Sequence, residues 1–228
     1  MPFDLTRRLA AEALGTLFLV MAVVGSGIMA AKLAGGNGAI ALLCNTLATG
    51  AVLFVIITIL APVSGAHFNP AVSLVAMLRG ELDRGSGLAY MAAQIVGGCV
   101  GAVIAHLMFG LDPLQVSQTA RNGFGQWFGE FVATFGLLGT ILGCVRFKPD
   151  AVATAVALYI TSAYWFTAST SFANPAVTIA RSLSDTFAGI APRDVAPFIV
   201  AELLGALAAA GLFAWLFTQP AAAVKKTK

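Results

Sequence analysis

Six stretches of the chain, 9–31, 39–61, 88–109, 126–145, 151–167 and 196–217, are apolar for most or all of the roughly 20 residues that a helix needs to cross a bilayer core. Lipid offers the backbone no hydrogen-bond partners, so segments of this kind fold as helices that satisfy themselves. The chain as a whole agrees: 59% of its 228 residues are hydrophobic, 10% are charged and the mean hydropathy is +0.89. A soluble domain carries about a quarter charged residues. The expected architecture is therefore an all-α membrane protein with six spans, the fifth of them the shortest. The N-terminal run follows Arg7 and Arg8 but is too long for a secretory leader and contains Glu12, so it reads as a retained first span. Cys44, Cys99 and Cys144 have no metal-like spacing and read as inert residues of the helix core. No metal or cofactor is expected.

Basic residues set the orientation. With both termini on one side, that side holds Arg7, Arg8, Arg79, Arg84, Arg146, Lys148, Lys225, Lys226 and Lys228, and the other holds Lys32, Arg121, Arg181 and Arg193. Nine against four places both termini in the cytoplasm, and the location expected is a bacterial inner membrane. The cytoplasmic tail 218–228 with its KKTK run then reads as a topology anchor rather than a nucleic-acid patch.

The two halves of the chain say nearly the same thing. EALGTLFL at 12–19 returns as EFVATFGL at 130–137, NPAVSL from Asn69 as NPAVTI from Asn174, and AAQIVGG from Ala92 as AELLGA from Ala201. Three landmarks recur in one order, and each half holds three spans. An odd number inverts the second half relative to the first. The expected organisation is one transmembrane domain over 1–228: repeat one at 1–109, a linker at 110–125, repeat two at 126–217 and then the tail. The first half is longer between its glutamate and its Asn-Pro-Ala, and the loop KLAGGNG at 32–38 is the expected place for the extra residues.

Asn-Pro-Ala has a physical reading of its own. Proline suits the first turn of a helix, where its missing N–H has no intrahelical partner, and Asn before it is a strong N-cap. Asn69-Pro70-Ala71 and Asn174-Pro175-Ala176 thus start helices of two to three turns, too short to span. One such motif alone reads as an ordinary capped helix. Two at equivalent places in an inverted repeat read as half-helices that meet near the midplane with positive dipole ends and Asn amides facing, an arrangement that offers donors to a neutral oxygen-bearing solute.

Twin Asn-Pro-Ala motifs, the glutamates Glu12 and Glu130 and the six-span inverted repeat closely resemble the aquaporin and aquaglyceroporin family. The resemblance covers nearly the whole chain. It implies a homotetramer in the bilayer with one pore per subunit, passive flux of small neutral solutes without a cofactor, and pore asparagines Asn69 and Asn174. It also implies a selectivity filter at four positions counted from the motifs, here Thr49, Ser162, Ser171 and Val177. The family usually reads Asn-Pro-Ala-Arg at the second motif, whereas this chain has Val177. Water-selective members usually add Phe and His at the first two positions, and glycerol-conducting members a large aromatic and a small residue; Thr49 and Ser162 match neither. A wide filter stripped of its fixed charge is expected. The segment NPAVTIARSLSDTFAGI is most similar to the aquaglyceroporin-like channels of bacterial arsenic-resistance operons, which implies arsenite, as neutral As(OH)3, as a cargo.

Arg181 lies one turn beyond Val177. It can reach the outer vestibule or pair on the surface with Asp185, and the pair is the reading expected here. Glu12 and Glu130 are costly at membrane depth unless bonded, and each is expected to accept N–H groups from the re-entrant loop of its half, with Gln94 and Glu202 in a related buttressing role. His67 is a candidate pore-lining residue, and His106 a packing or capping residue. Gly97 with Gly101, Gly139 with Gly143 and Gly205 with Ala209 are small pairs that let helices approach. Neither HExxH nor GxSxG occurs, and no nucleophile–base pair stands at plausible spacing, so an enzyme and its catalytic residues are not expected. A coupled transporter would want ionisable groups at the junction, where this chain has amides; a water-selective channel is the nearer alternative.

Overall fold

A computed structural model describes residues 2–218; the KKTK run lies outside the described residues. The described chain is helical: α1 Leu5–Leu33, α2 Gly38–Ser64, α3 Pro70–Leu78, α4 Arg84–Met108, α5 Phe124–Phe147, α6 Val152–Phe166, α7 Pro175–Arg181 and α8 Pro192–Leu216, with a 3-10 turn Pro149–Ala151 before α6. Each half has the same order, two helices, a short helix of 9 or 7 residues, and a long helix of 25. Five helices are long and apolar enough to cross a membrane, and the protein is a multi-pass membrane protein. α6 has 15 residues and reaches about 22 Å, at 1.5 Å per residue.

Local chemistry accounts for the starts. Asp4, Asn37 and Asp83 cap α1, α2 and α4 by accepting N–H groups of the first turn. Asp83 is exposed, and its bonds from Ser86 hold its carboxyl below the usual range. Asn69 accepts from Ala71 N at 2.9 Å, and Asn174 from Ala176 N at 3.0 Å, with a proline at the head of each short helix.

The extra length of the first half is helical. α2 has 27 residues against 15 in α6, and α1 has 29 against 24 in α5. The connections 34–37 and 148–151 are equally long, so the expected insertion in loop 32–38 is not there. The linker is two residues shorter at its end than read from sequence, because α5 starts at Phe124. Its residues lie over the loop between α7 and α8: Ser117 N donates to Ser182 O, and His106 bridges Pro113 O and Ser184 Oγ at 3.0 and 2.9 Å. Cys44 is exposed on α2 rather than in the core.

Packing is pairwise. α1 lies on α4 and α2, α5 on α8 and α6, α2 crosses to α6, and each short helix is held between α4 and α8. The α1–α4 contact is the closest, because Gly97 and Gly101 bring α4 against the backbone carbonyls of Ala13 and Leu17. A side chain at 97 would overlap backbone that cannot give. Gly97→Leu is therefore expected to abolish the yield of folded protein in detergent, measured by size-exclusion profile, whereas Gly211→Leu, where a side chain meets open space, leaves it unchanged.

Candidate functional site

The site begins at the two loops that precede the short helices. Ala66 and Phe68 stand three and one residues before Asn69 with left-handed φ of 52° and 48°; Ser171 and Ala173 stand in the same places before Asn174 with 52° and 48°. Non-glycine residues in this region are held there by their surroundings. Here the holders are the two buried glutamates. Glu12 accepts His67 N at 3.0 Å and Phe68 N at 2.7 Å, together with Ser64 Oγ and Gln94 Nε2. Glu130 accepts Phe172 N at 2.9 Å and Ala173 N at 2.7 Å. The loops present the donors and the carboxylates, in an apolar setting, need them.

The two short helices meet N-terminus to N-terminus. Asn69 Nδ2 donates to Ala173 O at 2.7 Å, and Asn174 Nδ2 to Phe68 O at 2.8 Å, so each half fastens the asparagine of the other. A cavity of 180 Å³ runs past this junction and is lined by Asn69, Asn174, His67, Thr49, Ser171 and Val177, with apolar walls from Leu53, Ile57, Val156 and Ile160 among others. His67 Nδ1 lies 3.1 Å from Ser73 Oγ, and its ring meets the edge of Tyr90.

Behind the short helices the two halves differ by one atom type. Gln94 donates its amide to Glu12 and to Ser73 Oγ. Glu202, its counterpart on α8, accepts from Thr178 Oγ1 at 2.6 Å and offers the Glu130 side no amide. Glu202→Gln, which copies the first half, is expected to raise stability by about 1–3 kcal/mol, the cost of a buried polar group left unmatched. A thermal-unfolding scan in detergent checks it; an unchanged or lower midpoint contradicts it.

One filter position, Ser162, and the expected Arg181–Asp185 pair need correction. Ser162 is exposed and donates to Tyr159 O of its own helix at 2.7 Å. The face of α6 turned to the cavity is Val152, Val156, Ile160 and Tyr164, spaced by four, and a residue two positions on from Ile160 points to the opposite side. Tyr164 takes the place read for Ser162: it is buried, and its hydroxyl lies 3.3 Å from Thr49 Oγ1. That spacing of four was visible in the sequence. Arg181 is the second correction. It is 2% exposed, lines the cavity, donates Nε to Ala188 O and lays its guanidinium over the Phe172 ring, 3.3 Å from the centroid. Asp185, its expected partner, instead accepts Gln118 N at 2.8 Å. The cavity wall beside Thr49 and Val177 therefore has an aromatic ring and a guanidinium, both from positions other than those counted from the motifs. Among the described residues no group of three or more His, Cys, Asp or Glu is arranged to hold a metal.

Two residues that line the cavity each carry a buried polar atom with no hydrogen-bond partner, Ser171 Oγ and Arg181 Nη1. Nearby, Arg121 of the linker is anchored to backbone: its Nε, Nη1 and Nη2 donate to the carbonyls of Gly189, Ser169 and Phe187, and burial lowers its pKa against the opposing pull of Glu130.

The family model of the major intrinsic proteins matches residues 2–150 and 145–227. The chain belongs to the major intrinsic protein family. Within that family it is similar to the aquaglyceroporin AqpS of Rhizobium meliloti strain 1021, 59% identical over 219 residues that cover 96% of this chain and 93% of that protein. Aquaporin Z of Bradyrhizobium diazoefficiens is 28% identical over 97% of this chain and 98% of its own length. The fold matches the X-ray structure of the aquaglyceroporin from Plasmodium falciparum with a TM-score of 0.72, at 24% identity, covering 92% of this chain and 96% of that one. As a major intrinsic protein it is a membrane channel for water and small solutes and not an enzyme.

Proposed function

We propose that this channel passes small neutral solutes larger than water, with arsenite as As(OH)3 and glycerol-like polyols as its cargo beside water itself. The observation that carries the reading is the cavity at the asparagine pair: apolar walls broken by a few polar residues, Asn69, Asn174, Thr49, Ser171 and Arg181, with Val177 among them. A hydroxylated neutral solute matches such a lining, because it trades hydration for these few contacts and brings no charge into an apolar passage. Val177, in the place where the family usually has Arg, leaves room in the passage, while the guanidinium of Arg181 is tied to the wall by Ala188 and Phe172. The similarity to a protein named as an aquaglyceroporin points the same way.

The pore roles of Asn69-Pro70-Ala71, Asn174-Pro175-Ala176, Thr49, Ser171, Val177 and His67 are part of this reading. So are a single channel domain of two inverted repeats, a homotetramer in a bacterial inner membrane, and cytoplasmic termini. A water-selective channel is the second reading, favoured by Tyr164 and Arg181 beside the cavity. Arsenite uptake into proteoliposomes separates the two. Arsenite accumulating far faster than in empty vesicles supports the wide channel; water flux with arsenite excluded supports the narrow one. Cross-linking in the membrane that stops at four subunits tests the assembly.

A further inference from the structure

Setting the aperture and excluding cations are separate tasks in a pore, and nothing requires one residue to do both. Arg181 is so placed as to do only the second. It stands seven residues into the sequence after Asn174, on the same helical face as Val177, and 2% exposed. It lines the cavity; its Nε donates to Ala188 O, its guanidinium stacks on Phe172, and its Nη1 is buried without a partner. The ion pairs among the described residues are Arg7–Asp4 and Arg79–Glu81, both on the surface, so no carboxylate neutralises Arg181 by contact. Glu130 and Glu202 act on Arg181 from beyond contact distance, while their hydrogen bonds come from the loop N–H groups and from Thr178; Asp185 accepts from Gln118 and Asp194 from Arg121. Arg121 adds a second positive charge, 5.0 Å from the centroid of the same Phe172 ring, and each of its three nitrogens donates to a backbone carbonyl. Arg181 is thus a cavity-lining cation with no carboxylate in contact.

We propose that Arg181 is the cation barrier of this channel and that Val177 independently sets its width, so that the pore admits bulky neutral solutes while rejecting cations of the same size and shape. A fixed charge in a passage poor in water acts at full reach on a permeant ion, whereas a neutral solute meets it only as a hydrogen-bond donor. The inference rests on the neutral-solute reading above.

Urea and guanidinium test it, being planar molecules of nearly equal size that differ in charge. The readout is the guanidinium-to-urea permeability ratio in proteoliposomes of the full chain. The ratio is expected to be very low in the wild type, to stay low in Arg181→Lys and to rise by about a hundredfold in Arg181→Gln. Val177→Asp gives a second route that leaves Arg181 in place, since a carboxylate one turn away on the same face would offset the guanidinium, and the ratio is expected to rise there too. A ratio that moves in neither variant, in channels that still pass urea, overturns this inference alone. A wild-type channel that passes neither urea nor glycerol overturns the neutral-solute reading, and this inference with it.

Discussion

Glu12→Ala is expected to leave no folded channel. Its carboxylate takes four donors, from Ser64 Oγ, His67 N, Phe68 N and Gln94 Nε2, and is itself fully buried. Alanine strands all four. Each orphaned buried donor costs about 1–3 kcal/mol, and the sum is comparable with the net stability of a typical domain, about 5–15 kcal/mol. The loss falls on the loop that holds Ala66 and Phe68 at left-handed φ, and so on the aim of Asn69 across the junction. Glu12→Gln keeps the shape and one acceptor but turns an amide toward Phe68 N or Gln94 Nε2, so it is expected to fall between wild type and alanine. Fluorescence-detected size exclusion and thermal unfolding measure both. Alanine protein recovered at wild-type yield and midpoint would mean that the loop holds its own conformation.

Val177→Arg carries the largest expected change in transport. The side chain at 177 is buried on the cavity wall, one turn from Arg181. A guanidinium there cannot fold back beside Arg181, because like charges repel and because Ala188 and Phe172 already hold that pocket. It must extend into the passage. Glycerol and arsenite permeability is expected to fall at least tenfold, a barrier increase of about 1.4 kcal/mol, while water flux survives. Equal loss of water and glycerol would point to misfolding, and no loss of either would place Val177 away from the constriction.

What the sequence made legible was chemistry with a local cause. A helix start can be read at Asn69-Pro70 and Asn174-Pro175 because cap and proline act within one turn. A carboxylate in an apolar run must find donors, and the loops before those helices have N–H groups to spare. The errors came where a count had to pass through geometry. Twelve residues back from Asn174 crosses a loop of seven residues, 167–173, where the first half has four, 65–68, and so the count landed on the wrong face of α6. Periodicity within α6 itself, Val152, Val156, Ile160 and Tyr164, carries the better signal. The Arg181–Asp185 pair failed for another reason. Pairing at i,i+4 presumes a helix that continues, and α7 ends at Arg181 with Ser182 as its cap. A short helix clamped between α4 and α8 also has no free surface on which to show a salt bridge. The longer first half was placed in a loop because loops are where insertions usually go; here they lie in α1 and α2, where an apolar residue adds to a span without a visible mark.

The central claim, a passive pore wide enough for a polyol, is tested most directly by stopped-flow light scattering on proteoliposomes under a glycerol gradient, with empty vesicles and a water gradient as controls. The account predicts fast shrinkage followed by fast re-swelling, as water leaves and glycerol enters through the same protein. Fast shrinkage with no re-swelling beyond that of empty vesicles would contradict it, and Tyr164 and Arg181 would then be the walls of a passage for water.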